Sequence, residues 1–79
     1  MSRQTVYADF HNADSRGRVR LNCIGTIRDL AEKGITLREG LNLNLSDDEI
    51  EVEGEVHFAE DERLWVAVID WNAIRQRSA

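Results

Sequence analysis

The sequence predicts a mainly β domain in which five antiparallel strands form a small half-open barrel and one short helix packs against it. Three observations predict this class. Apolar and polar residues alternate in several separate stretches of the 79-residue chain, which is the pattern of half-buried strands. Runs rich in Asn, Asp, Ser and Gly separate these stretches and predict turns. Only one stretch, residues 26 to 33, has helical spacing.

The first two predicted strands lie at residues 4 to 10 and 18 to 24, where apolar and polar residues alternate. The run between them is rich in Asn and Asp, and Gly17 can supply a positive φ there. Two alternating stretches joined by such a turn predict a hairpin. The side chains expected to point inward are Val6, Ala8, Phe10, Val19, Leu21 and Cys23.

The predicted helix begins at Thr26, whose hydroxyl can cap it, and ends before Gly34, which suits the left-handed position after a helix. Its apolar stripe consists of Ile27, Leu30 and Ala31. A helix of about two turns is not stable alone. We therefore expect it to lie over one end or edge of the sheet.

The third and fourth strands are predicted at residues 41 to 45 and 49 to 58. Gly54 is expected to complete the inner face of the fourth strand as a bulge or a bend. The inward residues of that strand are Ile50, Val52, Val56 and Phe58. The outward residues are Glu49, Glu51, Glu53, Glu55 and His57.

The fifth strand, residues 64 to 71, is apolar on both faces, which indicates a central strand. One face carries Trp65, Ala67, Ile69 and Trp71, and the other carries Leu64, Val66 and Val68. Both faces therefore need a cover. After this strand we expect a short helical turn, packing of Ile74, and a frayed terminus.

Tight turns and the lack of long crossover helices favour an antiparallel meander that closes as an SH3-like half-open barrel. An α+β open sheet with one helix against it is the alternative. At this length the chain is expected to be one domain, residues 1 to 79, with frayed termini.

The composition predicts a cytoplasmic protein. The single cysteine, Cys23, allows no intramolecular disulfide, the first residues are too polar to begin a secretory signal, and no stretch is long and apolar enough to span a membrane. The net charge of −5 is uneven: residues 1 to 40 hold seven basic and five acidic side chains, and residues 41 to 79 hold three and ten. We expect the two halves to face each other, within one chain or between two.

The segments ADFHNAD, RVRLNCIGT and WVAVIDWNAIR, which begin at residues 8, 18 and 65, resemble a group of short cyanobacterial proteins of unknown function. The resemblance implies an intracellular protein with one intact domain. It transfers no catalytic or binding residue.

The row of glutamates on the fourth strand is the most unusual feature, because neighbouring like charges on one strand face repel each other. One interpretation is a cross-strand ladder to Arg16, Arg18 and Arg20. Another is an open row that meets a basic partner protein. A third is a metal site at Glu53, Glu55 and His57, to which His11 could contribute a further ligand. No fixed second shell is evident in the sequence, so we expect no metal and no cofactor.

These observations predict a non-enzymatic protein-interaction or assembly module that is a homodimer. No phosphate-binding loop, nucleophile elbow or Cys–His site is present. The predicted contact residues have two roles. Apolar contact is expected from Trp65, Ile69 and Trp71. The register of the contact is expected to be set by charged residues, namely Arg18, Arg20, Glu51, Glu53 and Glu55. The alternative is a small RNA- or DNA-binding barrel that uses Arg16, Arg18, Arg20 and Tyr7. One observation discriminates between the two functions. Arg18 and Arg20 would pair with the glutamates in the interaction module, and they would be free to bind phosphate in the nucleic-acid-binding barrel.

Overall fold

The computed structural model describes residues 4–76 and has the predicted class, with mostly strands and one helix. The strands are short except for the fourth. A 3₁₀ turn, Trp71–Ala73, interrupts the chain near its end. The elements in order are β1 (Thr5–Tyr7), β2 (Val19–Arg20), α1 (Ile24–Lys33), β3 (Asn42–Ser46), β4 (Ile50–Ala59), β5 (Leu64–Ile69) and β6 (Arg75–Gln76).

Five strands form a curled sheet in the order β1-β3-β4-β5-β2, which confirms the predicted small half-barrel. β4 is the middle strand, and β1 and β2 are the two edges. β6 pairs with the first residues of β4. The inner face of the sheet holds a core of small and medium side chains that includes Val6, Val19, Leu45, Val52 and Val56.

The prediction of a hairpin between the first two strands is wrong. The prediction that the whole sheet is antiparallel is also wrong. β1 pairs with β3 in parallel, whereas β2 pairs with β5 at the opposite edge. Alternation identifies a strand but not its partner, and the loop between β1 and β2 has its own hydrogen bonds. Within it, the Asp14 side chain accepts hydrogen bonds from the Arg16 and Arg18 backbone N–H groups, both at 2.9 Å. The loop can therefore carry the chain across the sheet.

The helix begins two residues earlier than predicted, and its buried side is different. Cys23 is the residue before its first turn. Thr26 and Leu30 are buried, whereas the predicted stripe residues Ile27 and Ala31 are exposed. Gly34 has φ 66° after the helix, as predicted.

Hydrogen bonds to β1 explain this orientation of α1. Only one side of β1 pairs with β3. On its other side, Thr26 Oγ1 donates to the Tyr7 carbonyl at 2.7 Å, and Asp29 Oδ2 accepts from the Tyr7 N–H at 2.8 Å. Lys33 Nζ donates to the Thr5 carbonyl. The helix thus satisfies the backbone groups that an edge strand leaves open, and this turns Thr26 inward.

Gly54 is on the inner face of β4, but it makes no bulge. The pairing of β4 with β3 and with β5 continues through Gly54 without a break. A Cβ at this position would lie 3.0 Å from Leu45 Cδ1, 3.1 Å from Ile69 Cγ2 and 3.2 Å from the Ala67 Cβ. Close packing on the inner face therefore leaves little space for a side chain at Gly54.

β5 ends at Ile69. Trp71 therefore does not continue the strand face of Trp65, Ala67 and Ile69, and the prediction that it does is wrong. After Ile69 the chain stops pairing with β4 and forms the 3₁₀ turn. There Asp70 Oδ1 accepts a hydrogen bond from the Asn72 N–H at 2.9 Å. Pairing with β4 resumes at Arg75, opposite Glu51. The predicted short turn and the packing of Ile74 on the core are confirmed, whereas the predicted frayed termini lie outside the described residues.

Most of the second face of β5 is covered within the chain. Val66 points away from the core yet is fully buried. Its cross-strand neighbour is Arg20, and neighbours of this kind lie about 5 Å apart. Val66 is thus flanked by Arg20 on β2 and, on the other side, by His57 on β4. Val68 stays 45% exposed.

Candidate functional site

The outward side chains of β4 and its neighbours form a charged surface of the sheet. Glu55 lies between Asn42 of β3 and Val68 of β5 in the strand register, and Glu53 lies beside Asn44. We call Glu51, Glu53, Glu55 and Val68 the acidic face. It carries three carboxylates on the middle strand β4 and one exposed apolar side chain on the neighbouring strand β5.

Arg18 and Arg20 do not pair with the acidic face, so the predicted ladder is wrong. Arg18 Nε lies 2.6 Å from Asp14 Oδ2, and its Nη2 lies 3.5 Å from Asp61 Oδ1. Arg20 binds both oxygens of Glu62, at 2.8 and 2.7 Å. The reason is topological: β2 adjoins β5 and not β4, so its arginines reach the acidic residues of the β4–β5 turn.

Hydrogen bonding shifts the pKa values in this arginine network. Burial acts to raise the pKa of Asp14, but hydrogen bonds from Arg18 and Arg16 outweigh it and lower the pKa below 3.8. The hydrogen bond from Arg20 lowers the pKa of Glu62 below 4.5. The hydrogen bonds to Asp14 and Glu62 raise the pKa values of Arg18 and Arg20 respectively. All four groups are therefore engaged as ions.

The acidic face has partial compensation from other residues. Arg75 Nη2 lies 3.6 Å from Glu51 Oε1. His57 Nε2 lies 2.8 Å from Glu55 Oε2, and its Nδ1 lies 2.8 Å from Glu39 Oε2. The histidine is thus shared between two carboxylates, and the acidic charge on this surface exceeds the basic charge.

Glu39 attaches the loop before β3 to β4. Its Oε1 accepts a hydrogen bond from the Phe58 N–H at 2.7 Å while its Oε2 contacts His57. The hydrogen bond from Phe58, and after it that from His57, lowers the pKa of Glu39 below 4.5. This carboxylate is a structural link.

Of the residues considered as metal ligands, the structure brings Glu55 and His57 into contact, at 2.8 Å. Within residues 4–76, no three His, Cys, Asp or Glu side chains are arranged to hold a metal ion. Both ring nitrogens of His57 face carboxylate oxygens of Glu39 and Glu55. His11 lies in the loop after β1, where its N–H donates to Asp9 Oδ1.

A surface groove of about 400 Å³ adjoins the acidic face where the 3₁₀ turn leaves β4. Glu53 and Asp70 supply carboxylates to its wall, and Ala73 and Arg75 line it as well. The acidic face therefore has a concave part at Glu53. A basic side chain fits such a surface by charge.

The three predicted apolar contact residues have different environments. Trp65 packs against the core and meets Phe58 edge to face, with ring centroids 5.2 Å apart and an interplanar angle of 77°. Ile69 also packs against the core. Trp71 is 43% exposed, and its indole N–H donates to the Gly17 carbonyl at 2.8 Å. Phe58, predicted to be inward, is 40% exposed, on the same face as Trp65.

Sequence reasoning missed the exposed isoleucines of α1. Ile24 is 75% exposed and Ile27 is 55% exposed. The helix carries one apolar stripe with Ile27 and Ala31 and a second side with Thr26 and Leu30. Only the hydrogen bonds to β1 decide between them, so the signal in the sequence was ambiguous.

Comparison of the chain with protein-family models, curated proteins and solved structures finds no significant match. The resemblance to cyanobacterial proteins therefore stays a prediction. Among the described residues there is also no helix with the length and apolar character needed to cross a membrane.

We expect acid to destabilise the fold through Asp14, Glu39 and Glu62. Because folding lowers their pKa values, each stabilises the folded state above its ordinary pKa, and this contribution is lost as pH falls through the folded value. The midpoint of thermal unfolding, followed by circular dichroism, should be steady above about pH 5 and fall below about pH 4. Asp14→Asn should lower stability at neutral pH and show a shallower acid loss. A midpoint unchanged down to pH 2 would contradict this.

Proposed function

We propose that this chain is a non-enzymatic protein-interaction module whose acidic face docks a basic and partly apolar protein surface. One observation carries the proposal: Arg18 and Arg20, the side chains best placed in sequence to neutralise the glutamates, bind Asp14, Asp61 and Glu62 instead. The acidic face therefore keeps a surplus of negative charge.

Electrostatics gives such a surface a definite use. Like charges at neighbouring positions of one strand face are unfavourable, and a cationic partner would relieve that repulsion. Charge of this kind raises the association rate and selects the partner more than it adds affinity. Val68, opposite Glu55 on the same face, supplies the apolar contact that affinity needs.

Nucleic acid is a weaker candidate partner. Phosphate binding needs available cations, and both Arg18 and Arg20 already hold carboxylates at 3.5 Å or closer. A second copy of the chain is a stronger candidate. Trp65 and Ile69 pack against the core and are only partly buried, so their predicted contact with a second copy stays a prediction.

Titration with synthetic peptides tests the proposed function. The probe is a 12-residue peptide of Lys and Leu, with a Glu and Leu peptide and a single-stranded DNA 20-mer as comparisons. Isothermal calorimetry should detect the Lys/Leu peptide only, and amide shifts in nuclear magnetic resonance spectra should centre on Glu53, Glu55 and Val68. Binding should weaken at high salt.

Two variants of equal charge provide the matched comparison. Glu55→Gln should weaken peptide binding about twofold to fivefold, the effect of one exposed ion pair. Glu60→Gln, in the exposed β4–β5 turn, should leave it unchanged. Equal effects of the two variants, or preferential binding of the DNA, would contradict the proposal.

A further inference from the structure

The outward side of α1 carries an apolar stripe that includes one positive charge, with the exposed Glu32 at its margin. At 100° per residue, Ile24, Ile27, Arg28 and Ala31 project from the same side of this 10-residue helix, and all four are exposed. Within residues 4–76, the Arg28 side chain has no hydrogen bond or ion pair. We call these four residues the α1 stripe.

The stripe is not needed to hold α1 in place. Thr26 and Leu30 bury the opposite side of the helix, and Thr26, Asp29 and Lys33 make the hydrogen bonds to β1. Single exposed apolar residues are common on protein surfaces. Two isoleucines one turn apart, beside an arginine without a partner, are a surface with the composition of a docking site.

The acidic face has the complementary composition. It combines the exposed Val68 with the carboxylates of Glu53 and Glu55, whereas the α1 stripe combines exposed apolar side chains with the guanidinium of Arg28. The basic and acidic residues of the chain are divided in the same way, with a basic excess in residues 1 to 40 and an acidic excess in residues 41 to 79. Both surfaces expose apolar side chains, and their charges are of opposite sign.

We infer that the α1 stripe of one copy docks on the acidic face of another copy, so that the chain assembles head to tail. The inference rests on the proposed function, because it names the occupant of the same acidic face. Arg28 would approach Glu55, and Ile27 would pack beside Val68. Docking of the two surfaces would bury apolar side chains that are exposed in the single chain.

The placement of the two surfaces determines the kind of assembly. β4 is the middle strand of the sheet, whereas α1 lies along the free edge of β1 with Leu30 in the core. The acidic face and the α1 stripe are therefore two different patches of the surface. Contacts between two different patches are heterologous and continue into rings or filaments. The predicted two-fold homodimer would instead use one patch twice.

The association should be weak. A helix of 10 residues is about 15 Å long, so the interface is smaller than the standard size of stable complexes. Light scattering at 20 μM should then give the 9.1 kDa monomer. At 2 mM and low salt, the average mass should exceed twice that value and fall when salt is added.

A charge exchange between the two surfaces provides the decisive test. Arg28→Glu alone and Glu55→Arg alone should each abolish the mass increase. Mixing these two variants should restore it, because each contact in the mixture then joins opposite charges. Arg16→Glu is the control of equal charge change, since Arg16 is exposed in the loop before β2, and it should leave the increase unchanged. Circular dichroism should show all the variants folded.

Three results would overturn the inference: monomer at every concentration, a mass that stops at a dimer, or a mixture of the two variants that stays monomeric. These outcomes are distinct from failure of the proposed function. Binding of the Lys/Leu peptide by a chain that remains monomeric would retain the acidic face as a docking site for another protein. Absence of peptide binding, together with an Arg28-dependent mass that Glu55→Arg does not alter, would reject the acidic face itself.

Discussion

Replacing Gly54 with valine is expected to lower the free energy of unfolding by about 3 kcal/mol, the upper part of the usual range for overpacking a core. The alanine Cβ alone would meet Leu45, Ile69 and Ala67 at 3.0 to 3.2 Å. Two further methyl groups have no space on the inner face. A domain of 79 residues has a total stability of about 4 to 12 kcal/mol, so the variant should be close to unfolded.

Urea denaturation of a graded series measures this effect. Gly54→Ala should be destabilised less than Gly54→Val, because its single added carbon needs smaller shifts. Gly34→Ala separates packing from backbone strain: no atom lies within 4 Å of its Cβ position, but φ is +66°. Its cost should be about 1 kcal/mol. A Gly54→Val protein as stable as the natural chain would show that β4 and β5 can separate without loss.

Thr26→Val is expected to lower the free energy of unfolding by about 1 to 3 kcal/mol, even though the two side chains have nearly the same shape. The hydroxyl of Thr26 is buried and donates to the Tyr7 carbonyl at 2.7 Å. Its removal leaves that carbonyl unpaired beneath α1, and an unpaired buried acceptor carries the full desolvation penalty. The Cys23 Sγ, 3.0 Å from the same hydroxyl, loses its partner as well.

Two comparisons make this prediction specific. Thr26→Ser keeps the hydroxyl and loses one methyl group, so it should cost about 0.8 kcal/mol. Thr36→Val changes an exposed threonine in the same way chemically and should have almost no effect. Hydrogen exchange of the Tyr7 N–H, which bonds to Asp29, should accelerate in Thr26→Val. Equal stability of the Val and Ser variants would mean that the hydroxyl does not hold α1 to β1.

The two substitutions test two different contacts that hold this fold together. Gly54 lets the middle strand approach its neighbours closely, and Thr26 closes the open edge of the sheet with a helix in place of another strand. Both depend on residues distant in sequence. The sequence predicted a bulge or bend at Gly54 and a helix cap at Thr26, and the structure gives each residue a different role.

Alternation of apolar and polar residues was enough to locate most of the strands and to identify their inner faces. Val6, Val19, Val52 and Val56 were all predicted inward and are all buried. Gly34 was also correctly assigned to the end of the helix, since its backbone conformation is a local property. These features follow from interactions within a few residues.

The acidic face was predicted as a row of outward glutamates, and it is one. The ion-pair partners of these glutamates were not predicted correctly, because the partner of a charged side chain depends on strand order. Arg18 and Arg20 lie on a strand that pairs with β5, so they bind Asp61 and Glu62 in the β4–β5 turn. The predicted roles of Trp65, Ile69 and Trp71 in contact with a partner stay predictions.

The sequence by itself determined the β-rich class, the short helix and the outward row of carboxylates, since each follows from local periodicity and local backbone preference. Tertiary structure alone decided that β1 runs parallel to β3, that Thr26 and Leu30 are the buried side of α1, and that Arg18 and Arg20 bind acidic residues outside the row of glutamates. These results depend on which strands become neighbours. Strand pairing is set by the packing of the whole core, and no short stretch of sequence encodes it.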